Sequence, residues 1–184
     1  MLESFDGRMP QVAETAFVHP TARVRGDVVI GDYSIIWPGV SITGDWGTIT
    51  IGKCTTIEDN CVIHVATLEN WENDVRGLLT IGDYVTIGHG AIVHGRRIGN
   101  RVLVGMNATI LQEVEIGDEC LIAAGAVVTE GMRIPNRSFV AGVPAEMKGE
   151  LKSSQAHWVG EGWEGADSYY AEYIEKLRKS VILE

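Results

Sequence analysis

IGNRVLVGMNATILQEVEIGDECLIAAGAVVTEGMRIPNRSFV, residues 98–140, returns an aliphatic side chain at every sixth position: Ile98, Val104, Ile110, Ile116, Ile122, Val128, Ile134 and Val140. Four residues after most of these stands a small or modest side chain: Val102, Ala108, Val114, Cys120, Ala126 and Ser138. A period of six is neither 3.6 nor 2, so neither one amphipathic helix nor an alternating strand explains it. A solenoid does. If each hexad makes one short strand and one corner, three hexads close a triangular coil, and successive coils stack by parallel ladders about 4.8 Å apart. The aliphatic fills the prism and the small residue turns inward beside the corner. The Gly-Asp pairs that follow an aliphatic (Gly31-Asp32, Gly82-Asp83, Gly117-Asp118) are expected to supply bends with unusual backbone angles.

The pattern continues upstream through Val18, Val24, Ile30, Ile36 and Ile42, then Ile51, Ile57 and Ile63, then Ile81, Ile87 and Val93. It is interrupted three times. The step from Ile42 to Ile51 is nine residues, the segment Val65–Leu78 is polar and acidic, and the step from Val93 to Ile98 is five. Loops are expected at the first two, the second protruding over about residues 65–78. Insertions in a solenoid project from one face, commonly the functional one.

Downstream the repeat stops at Gly142-Val143-Pro144, which assigns residues 1–148 to the solenoid. Residues 149–184 form an irregular segment, Leu151–Gly165 with Trp158 and Trp163, and a helix from an Asp167 cap to about Ser180. Tyr170, Tyr173, Ile174, Leu177 and Ile182 give this helix an apolar side expected to lie along the prism. Both parts belong to one domain, which 184 residues with 45% hydrophobic side chains can support.

Fifteen Lys and Arg against 25 Asp and Glu leave a net charge of −10, which repels phosphate backbones and anionic lipid, so neither nucleic acid nor membrane is an expected partner. Cys54, Cys61 and Cys120 are odd in number and lack CxxC spacing, which argues against a disulfide framework or a thiolate zinc site and fits a reducing cytoplasm. No apolar run reaches membrane-spanning length, and Met1–Pro10 carries no hydrophobic signal core.

Five histidines remain to be placed. His19 precedes Pro20 in the first coil and His157 lies beyond the repeat, positions that suit structural or solvent-facing roles. His64 follows the core residue Ile63, His94 follows Val93, and His89 comes two after Ile87, so all three point outward. Coils of about eighteen residues put His64 and His89 on neighbouring layers, and the interval from His89 to His94 is expected to span a corner. Three imidazoles then do not meet easily on one flat face. Either they are separate surface histidines, or two from one prism meet one from a neighbouring copy, where neutral imidazoles would suit Zn2+ with an open fourth position.

The stretch Ile57-Glu58-Asp59-Asn60-Cys61-Val62-Ile63-His64, followed by Ile87-Gly88-His89-Gly90-Ala91-Ile92-Val93-His94-Gly95, resembles the γ-class carbonic anhydrases among hexapeptide-repeat proteins. Gly26-Asp27-Val28, Ile36-Trp37-Pro38, Ile42 to Asp45, Gly105-Met106 and Gly125-Ala126 extend the likeness over nearly the whole chain. The resemblance implies a left-handed parallel β-helix, a hand opposite to that of ordinary crossovers. It implies a homotrimer with zinc, or Fe2+ or Co2+, held by His64, His89 and His94 across subunit interfaces. The implied activity is lyase chemistry: a metal-bound water with its pKa lowered to about 7 gives the hydroxide that hydrates CO2 to bicarbonate.

The match departs from the family at several positions. Where the family reads Asn-x-Gln-Asp, this chain has Thr56-Ile57-Glu58-Asp59, so Thr56, Glu58 and Asp59 are the candidate catalytic side chains and Glu58 brings a charge to the position that orients the attacking water. Where the family has Arg-x-Asp, this chain has Thr43-Gly44-Asp45, leaving Asp45 to pair with Arg25, Arg96 or Arg97. Trp46 and Thr67 stand at the acidic proton-shuttle positions, and Glu69, Glu72 and Asp74 are either substitutes or solvated loop charges. Two alternatives therefore accompany the hydratase reading: a metal-binding trimeric scaffold without activity, and a hexapeptide-repeat acyltransferase, whose prism and Gly142-Val143-Pro144-Ala145 turn are shared.

Overall fold

The computed structural model describes residues 1–65, 77–160 and 166–181. The chain is a parallel β-solenoid of about seven turns, with short strands stacked in register on three faces. The first face runs through Phe17–Val18, Ile35–Ile36, Thr56–Ile57, Thr86–Ile87, Leu103–Val104, Leu121–Ile122 and Ser138–Gly142. The second takes the starts of Arg23–Ile30 and Ser41–Ile51, then Val62–His64, Ile92–Val93, Thr109–Ile110 and Val127–Val128. The third takes Gln11–Val12, the ends of those two long strands, Gly77–Ile81, Arg97–Ile98, Glu115–Ile116 and Arg133–Ile134. Aliphatic pairs with aliphatic between coils, Ile57 with Ile87, Val104 with Ile122, Ile63 with Val93, so one continuous apolar column fills the prism. From Val24 to Val140 the hexad aliphatics are buried, as periodicity alone requires.

The nine-residue step from Ile42 to Ile51 is not a loop. Ser41–Ile51 is one eleven-residue strand with mostly alternating burial that crosses from the second face to the third. Its neighbours explain this. Arg23–Ile30 pairs with it from the preceding coil, and Val62–His64 and Gly77–Ile81 pair with its two halves from the next. Ladder partners on both sides give the extra backbone groups hydrogen bonds that an exposed loop would leave to water. The register shift between Gly26 and Val28 absorbs the mismatch in length. In the second expected loop, residues 66–76 lie outside the described residues; Val65 is buried, and Gly77 and Leu78 already belong to the strand Gly77–Ile81.

The Gly-Asp pairs do not supply the unusual angles either. The left-handed residue falls later in the corner, at Tyr33, Tyr84 and Glu119, with φ of 57°, 56° and 57°. Glycine is needed because coils touch there: a Cβ on Gly82 would lie 2.7 Å from the Gly99 carbonyl oxygen, and one on Gly31 would lie 2.8 Å from the Gly52 carbonyl carbon. The polar residue that follows is selected for a ladder. Asp83 Oδ1 accepts the Lys53 N–H, Asn100 Oδ1 that of Asp83, Asp118 Oδ1 that of Asn100 and Asn136 Oδ1 that of Asp118, all at 2.8–2.9 Å.

Ala145–Glu150 doubles back antiparallel on Ser138–Gly142, so sheet structure runs across residue 148. Beyond it, Leu151 and Val159 pack against Leu121 on the first face. The helix Ala166–Ser180 covers the same face nearer the start of the solenoid, burying Tyr170 and Ile174 against Phe17, Ile35 and Cys54. Asp167 sits inside its first turn instead of capping it. Its carboxylate accepts the Tyr84 hydroxyl at 2.5 Å and the Lys53 ammonium at 3.2 Å, pinning the helix to a corner. Trp163 and Ile182 lie outside the described residues. Among the described residues, no helix is long and apolar enough to cross a membrane.

Candidate metal centre

The second face carries chemistry at both of its edges. At one edge His64 ends the strand Val62–His64 and His94 follows the strand Ile92–Val93, and because Ile63 pairs with Val93 the two imidazoles stack on neighbouring coils. His64 Nδ1 and His94 Nε2 face each other at 2.5 Å, with ring centroids 4.6 Å apart. Burial lowers both pKa values from 6.5; at His64 the Asp45 charge opposes that shift, and at His94 the neighbouring His64 adds to it. Both rings are therefore neutral at neutral pH. One nitrogen of the facing pair must offer a lone pair, while His94 Nδ1 is buried without a hydrogen-bond partner.

At the other edge, in the corner between the first and second faces, His89 is half exposed between two carboxylates. Glu58 Oε2 is 3.2 Å from Nε2 and Asp59 Oδ2 is 3.1 Å from Nδ1. Glu58 Oε2 also accepts the His89 backbone N–H at 3.0 Å, and the Asp59 carbonyl accepts that of Gly90 at 2.9 Å. The interval from His89 to His94 thus spans the strand Ile92–Val93, a whole face, where a corner was expected. Among the described residues no group of three His, Cys, Asp or Glu side chains converges within one chain. Between the two edges the face presents Val62 and Ile92, 41% and 43% exposed, and Met106 stands exposed on the coil below His89.

The remaining candidates separate. Thr56 lies on the first face and its hydroxyl bonds Tyr170 of the C-terminal helix, apart from Glu58 and Asp59. Asp45 is paired by Arg25, Nε to Oδ1 at 3.4 Å, while Arg96 and Arg97 go to Glu113 and Asp118. The available signal was the eighteen-residue spacing between positions 25 and 43, which makes them ladder partners. Trp46 is exposed, and Thr67, Glu69, Glu72 and Asp74 fall outside the described residues. His19 Nδ1 lies 2.8 Å from the Thr21 hydroxyl, and the His157 ring tilts against Trp158 with centroids 4.7 Å apart.

The donor set suits a borderline divalent cation: two half-buried neutral imidazoles aimed at each other, with a third imidazole steered by carboxylates at the far edge of the same face. A metal-ligating histidine gives its second nitrogen to an outer acceptor, and Asp59 already occupies that role at His89.

A triangular parallel coil of six-residue repeats with paired histidines on one edge defines a hexapeptide-repeat protein. Two family models match: "Bacterial transferase hexapeptide (six repeats)" over residues 9–44 and 97–130, and "Hexapeptide repeat of succinyl-transferase" over residues 79–112. Carnitine operon protein CaiE of Escherichia coli (strain K12) is 37% identical over 155 residues, 84% of this chain and 75% of CaiE. Gamma carbonic anhydrase 1, mitochondrial, of Arabidopsis thaliana is 38% identical over 161 residues, 88% of this chain but 58% of the plant protein. A crystal structure of a hexapeptide transferase family protein from Anaplasma phagocytophilum superposes with a TM-score of 0.81 at 30% identity, covering 95% of this chain and 96% of that one. The chain belongs to the γ-class carbonic anhydrase-like family of hexapeptide-repeat proteins, whose coil is left-handed.

Proposed function

We propose that this chain is a metal-dependent carbonic anhydrase, interconverting CO2 and bicarbonate as a homotrimer. His64 and His94 of one subunit and His89 of the next hold the metal, with Zn2+, Fe2+ or Co2+ as candidates. The observation that carries this reading is the approach of His64 Nδ1 to His94 Nε2, both on neutral rings. Two ligands on one edge and one on the other make a complete set only when second faces of neighbouring copies meet, and the exposed Val62 and Ile92 give such a contact its apolar centre.

Within that arrangement each side chain has a task. Asp59 holds the His89 ring by Nδ1, which assigns ligation to Nε2, the nitrogen that faces Glu58 Oε2 at 3.2 Å in the single chain. Glu58 is held in place by the His89 backbone N–H, and its carboxylate accepts a hydrogen bond from the attacking water, orienting it. Val62 and Ile92 exclude bulk solvent from an apolar substrate. The metal, when bound, supplies Lewis acidity that brings the pKa of water to about 7. Thr56 acts on this site only through the strand it shares with Ile57.

Metal content and CO2 hydration rate of anaerobically purified protein, compared with His89→Ala and Glu58→Gln, test the proposal. About one metal per chain supporting hydration, both lost in His89→Ala, is the expected result. Metal without hydration in the zinc, iron and cobalt forms points to the scaffold reading, which the Glu58 charge favours. The acyltransferase reading rests on the shared prism, and acetyl-CoA binding by metal-free protein is its signature.

A further inference from the structure

Arg25, Thr43, His64 and His94 form one outward column where the second face ends, each directly following a buried aliphatic, Val24, Ile42, Ile63 or Val93. Ladder pairing places Arg25 opposite Thr43, and Thr43 opposite His64. Asp45 lies two residues past Thr43 on the same strand, its side chain only 13% exposed. Asp45 Oδ1 is buried with no hydrogen-bond donor, and the only cation paired with it among the described residues is Arg25, whose Nε stands 3.4 Å away. That guanidinium also lies over the Phe5 ring, its Cζ 4.6 Å from the ring centroid. Because Thr43 pairs with His64, Asp45 leaves the same strand two residues beyond the level of that ring.

A buried carboxylate with an unsatisfied oxygen is costly unless something in the working protein uses its charge. A divalent cation on the neighbouring His64–His94 pair is such a use. We infer that Asp45 is a positioning residue of the metal centre, supplying outer negative charge beside His64. Arg25, reaching in from the preceding coil, aims that carboxylate in place of a cation at position 43. The inference rests on the metal-centre reading given above and adds two residues that do not touch the metal.

The experiment is a cobalt titration of metal-free trimer in competition with a chromophoric chelator, run on wild type, His94→Ala, Asp45→Asn, Arg25→Met and Arg25→Met/Thr43→Arg, with sedimentation and circular dichroism as checks on assembly and folding. Asp45→Asn is expected to weaken cobalt binding about 10- to 100-fold, the range seen when outer partners of metal ligands are removed. Arg25→Met is expected to weaken it by a smaller factor, and Thr43→Arg to restore most of that loss, because residue 43 lies opposite residue 25 on the ladder. A folded Asp45→Asn trimer with wild-type affinity overturns the role of Asp45. An Arg25→Met loss that Thr43→Arg leaves uncorrected overturns the assignment of Arg25 as its aiming group. Wild type that binds no better than His94→Ala defeats the metal-centre reading itself, a distinct outcome.

Discussion

The coils from Ile98 to Val140 and those from Val24 to Ile98 share one apolar column yet treat their polar side chains differently. In the regular half, polar groups are satisfied locally: Asp118 and Asn136 extend the backbone ladder at the corners, Arg133 pairs with Glu115, its neighbour on the adjacent strand, and Arg137 pairs with Glu119. In the irregular half, the described residues include three buried polar atoms without a hydrogen-bond partner, on Trp37, Asp45 and His94. Those three also lie in the half where the six-residue step slips. A uniform repeat builds a scaffold in which every group is matched by its copy one coil away, whereas a slip breaks that matching and leaves groups free to hold something else.

Breaking the comparison from its functional side gives the largest effect. His94→Ala is expected to abolish metal retention, read by inductively coupled plasma mass spectrometry, while the unfolding midpoint in urea moves little, because His94 lies outside the apolar column. In the regular half the expected balance is reversed. Ile110→Ala empties a fully buried core position and should cost about 2–5 kcal/mol in urea unfolding, with metal per folded chain unchanged.

Corners sharpen the contrast further. Gly99→Ala places a Cβ 2.7 Å from the Gly117 carbonyl carbon, so coils must separate, and a loss of roughly 1–3 kcal/mol is expected. Gly131→Ala meets nothing within 4 Å and suffers only from its φ of +70°, about 1 kcal/mol. Equal losses in the two variants would remove the argument that coil contact, not turn geometry, selects glycine after the aliphatic.

The smallest effect concerns the strap. Tyr84 and then Lys53 hold the Asp167 carboxyl below its ordinary value of 3.8. A depressed folded pKa gives stability that is present above 3.8 and is lost as pH falls through the lower folded value. Hydrogen exchange in Ala166–Ser180 should therefore accelerate in strong acid in the wild type, and Asp167→Asn should flatten that dependence.

Much of this was legible in the residues. The six-residue period dictated the prism, its three faces and its core, because in each hexad one aliphatic and one small side chain face a shared interior. The outward placement of His64, His89 and His94 followed from their offsets to Ile63, Ile87 and Val93. What was not legible depended on neighbours one coil away. The nine-residue step became strand because both adjacent coils offered ladder partners, and glycine spacing reflected contact between coils instead of turn angle. Asp45 met Arg25 only through the register of two long strands. Thr56, beside Glu58 in sequence, was claimed by Tyr170 from a helix more than one hundred positions on.

The most direct test of a centre completed between copies is subunit mixing. His89→Ala and His94→Ala chains, each metal-free alone, are unfolded together in equal amounts, refolded and assayed for bound metal and CO2 hydration. Random trimers give about a quarter of interfaces a complete histidine set, and metal and activity returning to about that fraction is the predicted result. A mixture that stays as empty and inactive as its parents, despite confirmed mixed trimers, contradicts the account.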